Sequence, residues 1–267
     1  MPESPLARAD MVVYKTAPRP LRLHLARPSP ERFPGPRPCI VFFHGGAWRN
    51  GDPKQFMGYA NRLAEVGVIG ISAQYRLMRE DDVLPIAAVQ DARSALRFVR
   101  SKATALGCDA QRIGAGGGSS GAHLAVMATV PTPKAAQPAG PIDDPADDLS
   151  ISPRPQALFL MNAPLNLERY DRPVPIEQRR ALSPTLQIDA NLPPTWIFHG
   201  TADKVVPFSQ VTEFRERAKA LGAGEVTVQS FAGRGHGFFN AKRGDGEDFE
   251  ATLAGIMAGL KKLGWVQ

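Results

Sequence analysis

A serine framed by glycines, Gly117-Gly118-Ser119-Ser120-Gly121, is the stretch of this chain best equipped for chemistry. The pattern G-x-S-x-G suits a strand that turns sharply into a helix, where the serine takes a strained backbone conformation and its Oγ stands clear of the sheet. Glycines two residues before and after remove side chains that would collide in so tight a turn. Residues 112–116 read as a short buried strand and 120–129 as an Ala/Leu/Val/Met helix, so strand, turn and helix follow in the required order. A phosphate-binding glycine loop would need a Lys-Ser or Lys-Thr pair after the glycines, and none follows. The frame assigns Ser119, rather than its neighbour Ser120, as the reactive hydroxyl.

A serine hydroxyl is a poor nucleophile at neutral pH. It needs a general base, and the base needs a carboxylate to fix its tautomer. Five histidines are available: His24, His44, His123, His199 and His236. His24 alternates with leucines in an early strand, His44 belongs to a glycine turn, and His123 lies on the helix leaving the serine. His199 ends a late strand too close in sequence to the best acid. His236 remains, flanked by glycines in Gly233-Arg234-Gly235-His236-Gly237-Phe238, a loop shaped to present it. The acid is Asp203: the apolar run Trp196-Ile197-Phe198 leads through His199-Gly200-Thr201-Ala202 to its carboxylate, at the strand edge where functional residues of open α/β sheets collect. Asp91 competes, but it lies inside a predicted helix ahead of the serine and reads as a structural carboxylate tying that helix to a nearby loop.

Acyl transfer also requires donors for a developing oxyanion, held about 3 Å away. The apolar strand Cys39-Ile40-Val41-Phe42-Phe43 ends in His44-Gly45-Gly46-Ala47-Trp48, roughly 75 residues before Ser119, as this architecture expects. The amides of Gly46, Ala47 and Ser120 are the preferred donors, with Gly45 shaping the turn. Trp48 and Phe238 flank the site and read equally well as pocket lining or as packing.

The elements that must hold these residues alternate. Strands are predicted near 12–16, 21–25, 39–43, 68–73, 112–115, 157–161, 195–198 and 225–231, and helices near 53–65, 84–106, 120–129, 208–220 and 248–264. The pattern implies an α/β fold with a mostly parallel, eight-stranded twisted sheet covered on both faces, its first two strands an antiparallel hairpin at one edge. Segments 131–155 and 163–194 are proline-rich and break the rhythm. Neither is long or apolar enough for a sizeable helical cap, so the site is expected to be open, with minimal or no cap.

Together His44-Gly45-Gly46-Ala47-Trp48, the Ser119 frame, His199-Gly200-Thr201-Ala202-Asp203 and Gly235-His236-Gly237-Phe238 resemble the α/β-hydrolase superfamily. Within it they are similar to bacterial carboxylesterases related to hormone-sensitive lipase and to acetylxylan and feruloyl esterases, over nearly the whole chain. The resemblance implies a single α/β-hydrolase domain over 1–267 and a serine carboxylesterase of short-chain acyl esters, acetyl groups on sugars or xylan among them. It implies a small-molecule or carbohydrate ester as substrate, and no metal or organic cofactor. Ala47 stands where many relatives have a third glycine, which moves the turn toward the His-Gly-Gly-x-Trp form of kynurenine formamidases. An amide hydrolase of that type is thus an alternative, as is a non-catalytic binding member of the fold.

The 267 residues, 43% of them apolar, suit one domain with a full core. A net charge of +6 invites a nucleic-acid reading, but the basic residues are scattered and interleaved with acids, so neither nucleic acid nor a membrane is expected as partner. The charge would favour anionic surfaces or substrates. The acids Asp143, Asp144, Asp147 and Asp148 lack the glycine and glutamate of a calcium loop and read as solvated chain. Cys39 and Cys108, the only two cysteines, make a weak case for a disulfide. Residues 1–10 carry prolines and charges in place of a signal peptide's apolar core. As written, the chain reads as cytoplasmic, and an exported mature form is equally compatible.

Overall fold

The computed structural model describes residues 10–132, 140–170, 174–241 and 243–267, so part of each proline-rich segment and the N-terminal stretch read for a signal peptide lie outside the described residues. The strands are β1 (Met11–Lys15), β2 (Leu21–Ala26), β3 (Arg37–Phe43), β4 (Ile69–Ala73), β5 (Cys108–Gly118), β6 (Ala157–Met161), β7 (Thr195–Gly200) and β8 (Val226–Phe231). They form one sheet in the order β1-β2-β4-β3-β5-β6-β7-β8. β2 pairs antiparallel with both β1 and β4, and every later pairing is parallel.

The helices are α1 (Met57–Ala64), α2 (Met78–Asp81), α3 (Pro85–Ser101), α4 (Ala103–Leu106), α5 (Ser120–Met127), α6 (Ile176–Ala181), α7 (Pro184–Gln187), α8 (Ser209–Ala220) and α9 (Glu247–Lys262). Successive strand side chains point to opposite faces, and β3 divides accordingly. Cys39, Val41 and Phe43 pack into a cluster with α3, α5 and α8, while Ile40 and Phe42 face the other way, onto α1 and α9. A strand covered on both faces is apolar nearly throughout, which is why β3 from Cys39 onward and β6 are continuous hydrophobic runs; in β4 the buried Ser72 hydroxyl is met by the Pro53 carbonyl (2.7 Å). Among the described residues no helix is long and apolar enough to cross a membrane.

Three expectations need correction. The predicted helix 84–106 is broken into α3 and α4 at Lys102, and β5 extends well beyond 112–115 at both ends. The acids at 143–148 are not a solvated set. Asp143 is buried between Arg93 (2.7 Å) and Arg97 (2.6 Å), Asp144 pairs with Lys15 (2.5 Å), and Asp147 accepts from Ser94 (2.8 Å). Arg93 and Arg97 lie one turn apart on α3, both buried, and a buried cation needs a counterion. Burial works to raise the Asp143 carboxyl, but the two guanidinium groups and Thr132 outweigh it and hold it below the ordinary range. Asp148 alone of the four stays exposed, closing a local turn with Ser150. Asp91 is fully buried and binds Lys15 (2.8 Å) together with the backbone and guanidinium of Arg76 (2.9 and 2.8 Å), joining α3 to the loop after β4. Cys39 and Cys108 are buried free thiols on neighbouring strands.

Candidate active site

Six parallel strands end at one edge of the sheet, and five of them, β3, β5, β6, β7 and β8, each lead into a site residue there. At the end of β5, Ser119 sits at φ 53° and ψ −122°, a conformation that L side chains rarely adopt. The flanking glycines are required by contact with β3: a Cβ on Gly117 would lie 2.3 Å from the Phe43 carbonyl oxygen, and one on Gly121 only 1.9 Å from it. The serine is anchored by its own amide, which donates to the Met161 carbonyl at the end of β6 (2.8 Å).

His236, in the loop after β8, meets Ser119 Oγ at 2.9 Å through Nε2 and Asp203 Oδ2 at 2.8 Å through Nδ1. A carboxylate only accepts, so Nδ1 carries the proton and Nε2 is free to accept from the serine hydroxyl. Asp203 follows β7 with its side chain buried, and its other oxygen takes the amides of Val205 (2.8 Å) and Val206 (2.9 Å). Burial pushes its carboxyl up, but the hydrogen bonds from His236 and the two amides prevail and hold it below its ordinary value. The charged form is therefore the one present beside His236 at neutral pH.

Asn162, at the end of β6, escaped the sequence reading. Its Nδ2 donates to Asp203 Oδ2 at 2.5 Å, and it too sits at a left-handed φ, 47°. No motif surrounds it; an asparagine directly after an apolar strand is its one signal, since asparagine tolerates that conformation better than most residues.

The His44 turn abuts the serine, with a Cβ on Gly45 lying 3.5 Å from Ser119 Cβ. The Gly45 amide is already taken by Gln55 Oε1 (2.7 Å). The amides of Gly46, Ala47 and Ser120 donate to nothing among the described residues, and Ala47 and Trp48 hold φ values of 56° and 60° that shape this loop. His44 stacks on Tyr75 at 4.2 Å, and burial pushes its imidazole down to about 4. His123 is likewise lowered to about 4 by burial; it accepts from Trp48 Nε1 at 3.2 Å and donates from Nε2 to the Leu182 carbonyl at 2.8 Å. His199 is buried and donates to the Val206 carbonyl (2.9 Å). None of these three reaches Ser119 Oγ.

A cavity of about 310 Å³ opens beside Ser119, with Trp48 and Ala47 in its lining. Phe238 is absent from that lining; it is buried against Phe231 (4.2 Å) and Phe239, so of the two flanking aromatics only Trp48 faces the cavity. Segment 163–194 is more ordered than its composition suggested. In its described part, a 3-10 turn at Leu167–Arg169 and the short helix α6 supply Leu167 and Arg179 to one wall, and Tyr170 and Leu182, directly after these two elements, line it as well.

The fold and this arrangement define an α/β-hydrolase. The BD-FAE family model matches residues 27–149 and 171–218, and the chain belongs to that family. It is similar to Thermogutta terrifontis esterase 2 phosphonylated by cyclosarin, at 35% identity and a TM-score of 0.88, covering 98% of this chain and 96% of that one. The butyrate-bound structure of the same esterase aligns with a TM-score of 0.86, at 35% identity and over 98% and 96% of the two chains. Esterase LipC of Mycobacterium tuberculosis is 29% identical over 221 residues, which are 76% of this chain and 53% of LipC. The chain spans about half the length of the curated relatives it matches.

Proposed function

We propose that this chain, acting as one catalytic domain, is a serine carboxylesterase that hydrolyses short-chain acyl esters by two-step acyl transfer. The observation that carries the reading is the unbroken relay from Ser119 Oγ through His236 to Asp203, at 2.9 and 2.8 Å. Ser119 Oγ attacks the ester carbonyl while its proton passes to His236 Nε2, and Asp203 stabilises the imidazolium. The amides of Gly46, Ala47 and Ser120 hold the oxyanion, with Gly45 fixing the turn around them. His236 then protonates the departing alcohol, and a water activated by the same imidazole releases the acid and restores the serine.

Short acyl chains are favoured by the modest cavity, and the structural relative has been solved with propionate and with butyrate bound. Acetyl groups on sugars or xylan fit the same reading, because among the described residues the segments beside the cavity hold only short helices and no domain-sized cap. Hydrolysis of p-nitrophenyl acetate, butyrate, octanoate and laurate by the wild type and by Ser119→Ala tests it. Activity should peak at acetate or butyrate and vanish in the variant; a peak at laurate, or activity that survives in Ser119→Ala, contradicts it.

A further inference from the structure

Among the described residues, the cavity beside Ser119 is lined by three arginines, Arg49, Arg79 and Arg179, and by no aspartate or glutamate. Several cations elsewhere on this surface meet carboxylates: Arg19 binds Asp81, Arg62 binds Glu250 and Arg154 binds Asp189. Arg49 and Arg79 are exposed and enter no ion pair or side-chain hydrogen bond among the described residues. They stand on one rim, since Arg49 follows Trp48 directly, and the amide of Met78, next to Arg79, donates to the Trp48 carbonyl at 2.9 Å.

Arg179 comes from α6 in the wall built by segment 163–194. Its Nη1 donates only to main-chain carbonyls, those of Glu168 (3.2 Å) and Tyr170, because the Glu168 carboxylate is engaged by Arg180. Its Nε is buried with no hydrogen-bond acceptor among the described residues. A guanidinium held among carbonyl dipoles, with one N–H unmet, lacks the partner for which its planar fork is suited: a carboxylate or similar oxyanion. The remaining lining, including Met78, Leu167, Val174, Leu182 and Val206, is apolar and weakens competition from water.

We infer that this cavity selects esters bearing a carboxylate remote from the reacting carbonyl, with Arg49, Arg79 and Arg179 as the residues that recognise it. The inference rests on the esterase reading above and narrows its substrate class. The apolar lining accommodates the body of the molecule, the arginines receive its charged end, and the chain's net charge of +6 draws anions toward the site.

The test compares esters matched except for charge. On the alcohol side these are 4-acetoxybenzoate and 4-acetoxybenzamide; on the acyl side, p-nitrophenyl hemiglutarate and p-nitrophenyl valerate. The readout is the ratio of kcat/KM for the anionic ester to that for the neutral one, corrected for their hydroxide-catalysed rates. In at least one pair the ratio should exceed one by about tenfold, and Arg49→Gln, Arg79→Gln or Arg179→Gln should each reduce it severalfold. Raising salt from about 20 mM to about 500 mM should also lower it. Arg49 and Arg79 are exposed and enter no side-chain hydrogen bond or ion pair among the described residues, so those variants keep the test valid if Arg179→Gln folds poorly. A ratio at or below one in both pairs, or one that none of the substitutions moves, overturns the inference.

Calorimetric binding of 4-acetoxybenzoate and 4-acetoxybenzamide to Ser119→Ala separates this idea from the esterase reading. Failure of the wild type to hydrolyse p-nitrophenyl butyrate counts against the esterase, whereas equal binding of the two probes counts against arginine recognition whatever the turnover. Tighter binding of the anion that is lost on adding Arg79→Gln supports the recognition by itself.

Discussion

Replacing Asp203 by asparagine changes one atom, and the structure dictates where that atom must go. The Oδ1 position accepts the Val205 and Val206 amides at 2.8 and 2.9 Å, so the oxygen of an asparagine stays there and its NH2 faces His236 Nδ1 and Asn162. Asn162 can turn its own oxygen toward the new donor, giving up two long contacts, from the Gly200 amide (3.4 Å) and to the Gly235 carbonyl (3.5 Å). His236 has no such freedom: it must accept at Nδ1, which moves its proton to Nε2. That nitrogen, 2.9 Å from Ser119 Oγ, then donates where it previously accepted, and the general base is lost. The expected fall in kcat is about 10,000-fold, equivalent to about 5 kcal/mol of transition-state stabilisation, with KM little changed. Steady-state hydrolysis of p-nitrophenyl butyrate measures it, with circular dichroism verifying that the variant is folded. A folded Asp203→Asn protein that keeps kcat within tenfold of wild type would refute the tautomer argument and with it the assignment of Asp203.

Asn162→Gly removes the hydrogen bond to Asp203 while tolerating the left-handed backbone, so kcat/KM should fall by about tenfold with little loss of stability; an unchanged value would make Asn162 a bystander. Gly121→Ala places a methyl group 1.9 Å from the Phe43 carbonyl oxygen, and urea denaturation should register a loss of about 3 kcal/mol as α5 is forced from β3. Asp143→Ala leaves Arg93 and Arg97 buried without their shared counterion, and should cost about 3 kcal/mol in the same assay without lowering kcat in the protein that remains folded. His44 and His123 are held near 4 in the folded protein against an ordinary 6.5, so below pH 6.5 the unfolded chain takes up protons that the folded one refuses. Stability is therefore full above about pH 6.5 and should decline toward pH 4 by about 3 kcal/mol per histidine; a flat stability profile over that window would contradict their burial as neutral rings.

Much of the candidate site was legible in the sequence because sterics leave few residue types able to do each job. Gly117 and Gly121 are forced by the Phe43 carbonyl, and that constraint is visible as G-x-S-x-G before any coordinates exist. With five histidines, elimination on element type was enough to single out His236. The parallel sheet was legible through continuous apolar runs such as β3 and β6, whose two faces are both covered. What escaped was set by tertiary contact. Asn162 is defined by a neighbour 41 positions away, and Phe238 by packing that its place beside His236 disguises. The acids at 143–148 look like solvated chain in one dimension, and their burial follows from Arg93 and Arg97 on a distant helix. Two arginines four apart within an alanine-rich apolar helix were the available signal. The wall around α6 left none, since Leu167, Tyr170 and Leu182 follow no helical period.

The central claim is that Ser119, and no other hydroxyl, is the nucleophile, although Ser120 stands beside it and also borders the cavity. Stoichiometric reaction with a fluorophosphonate ester, followed by peptide mass spectrometry, tests this directly. One adduct per chain on Ser119, formed in step with loss of esterase activity and absent from Ser119→Ala, is the result the relay to His236 and Asp203 predicts. An adduct on Ser120, or complete inactivation with Ser119 unmodified, would contradict it.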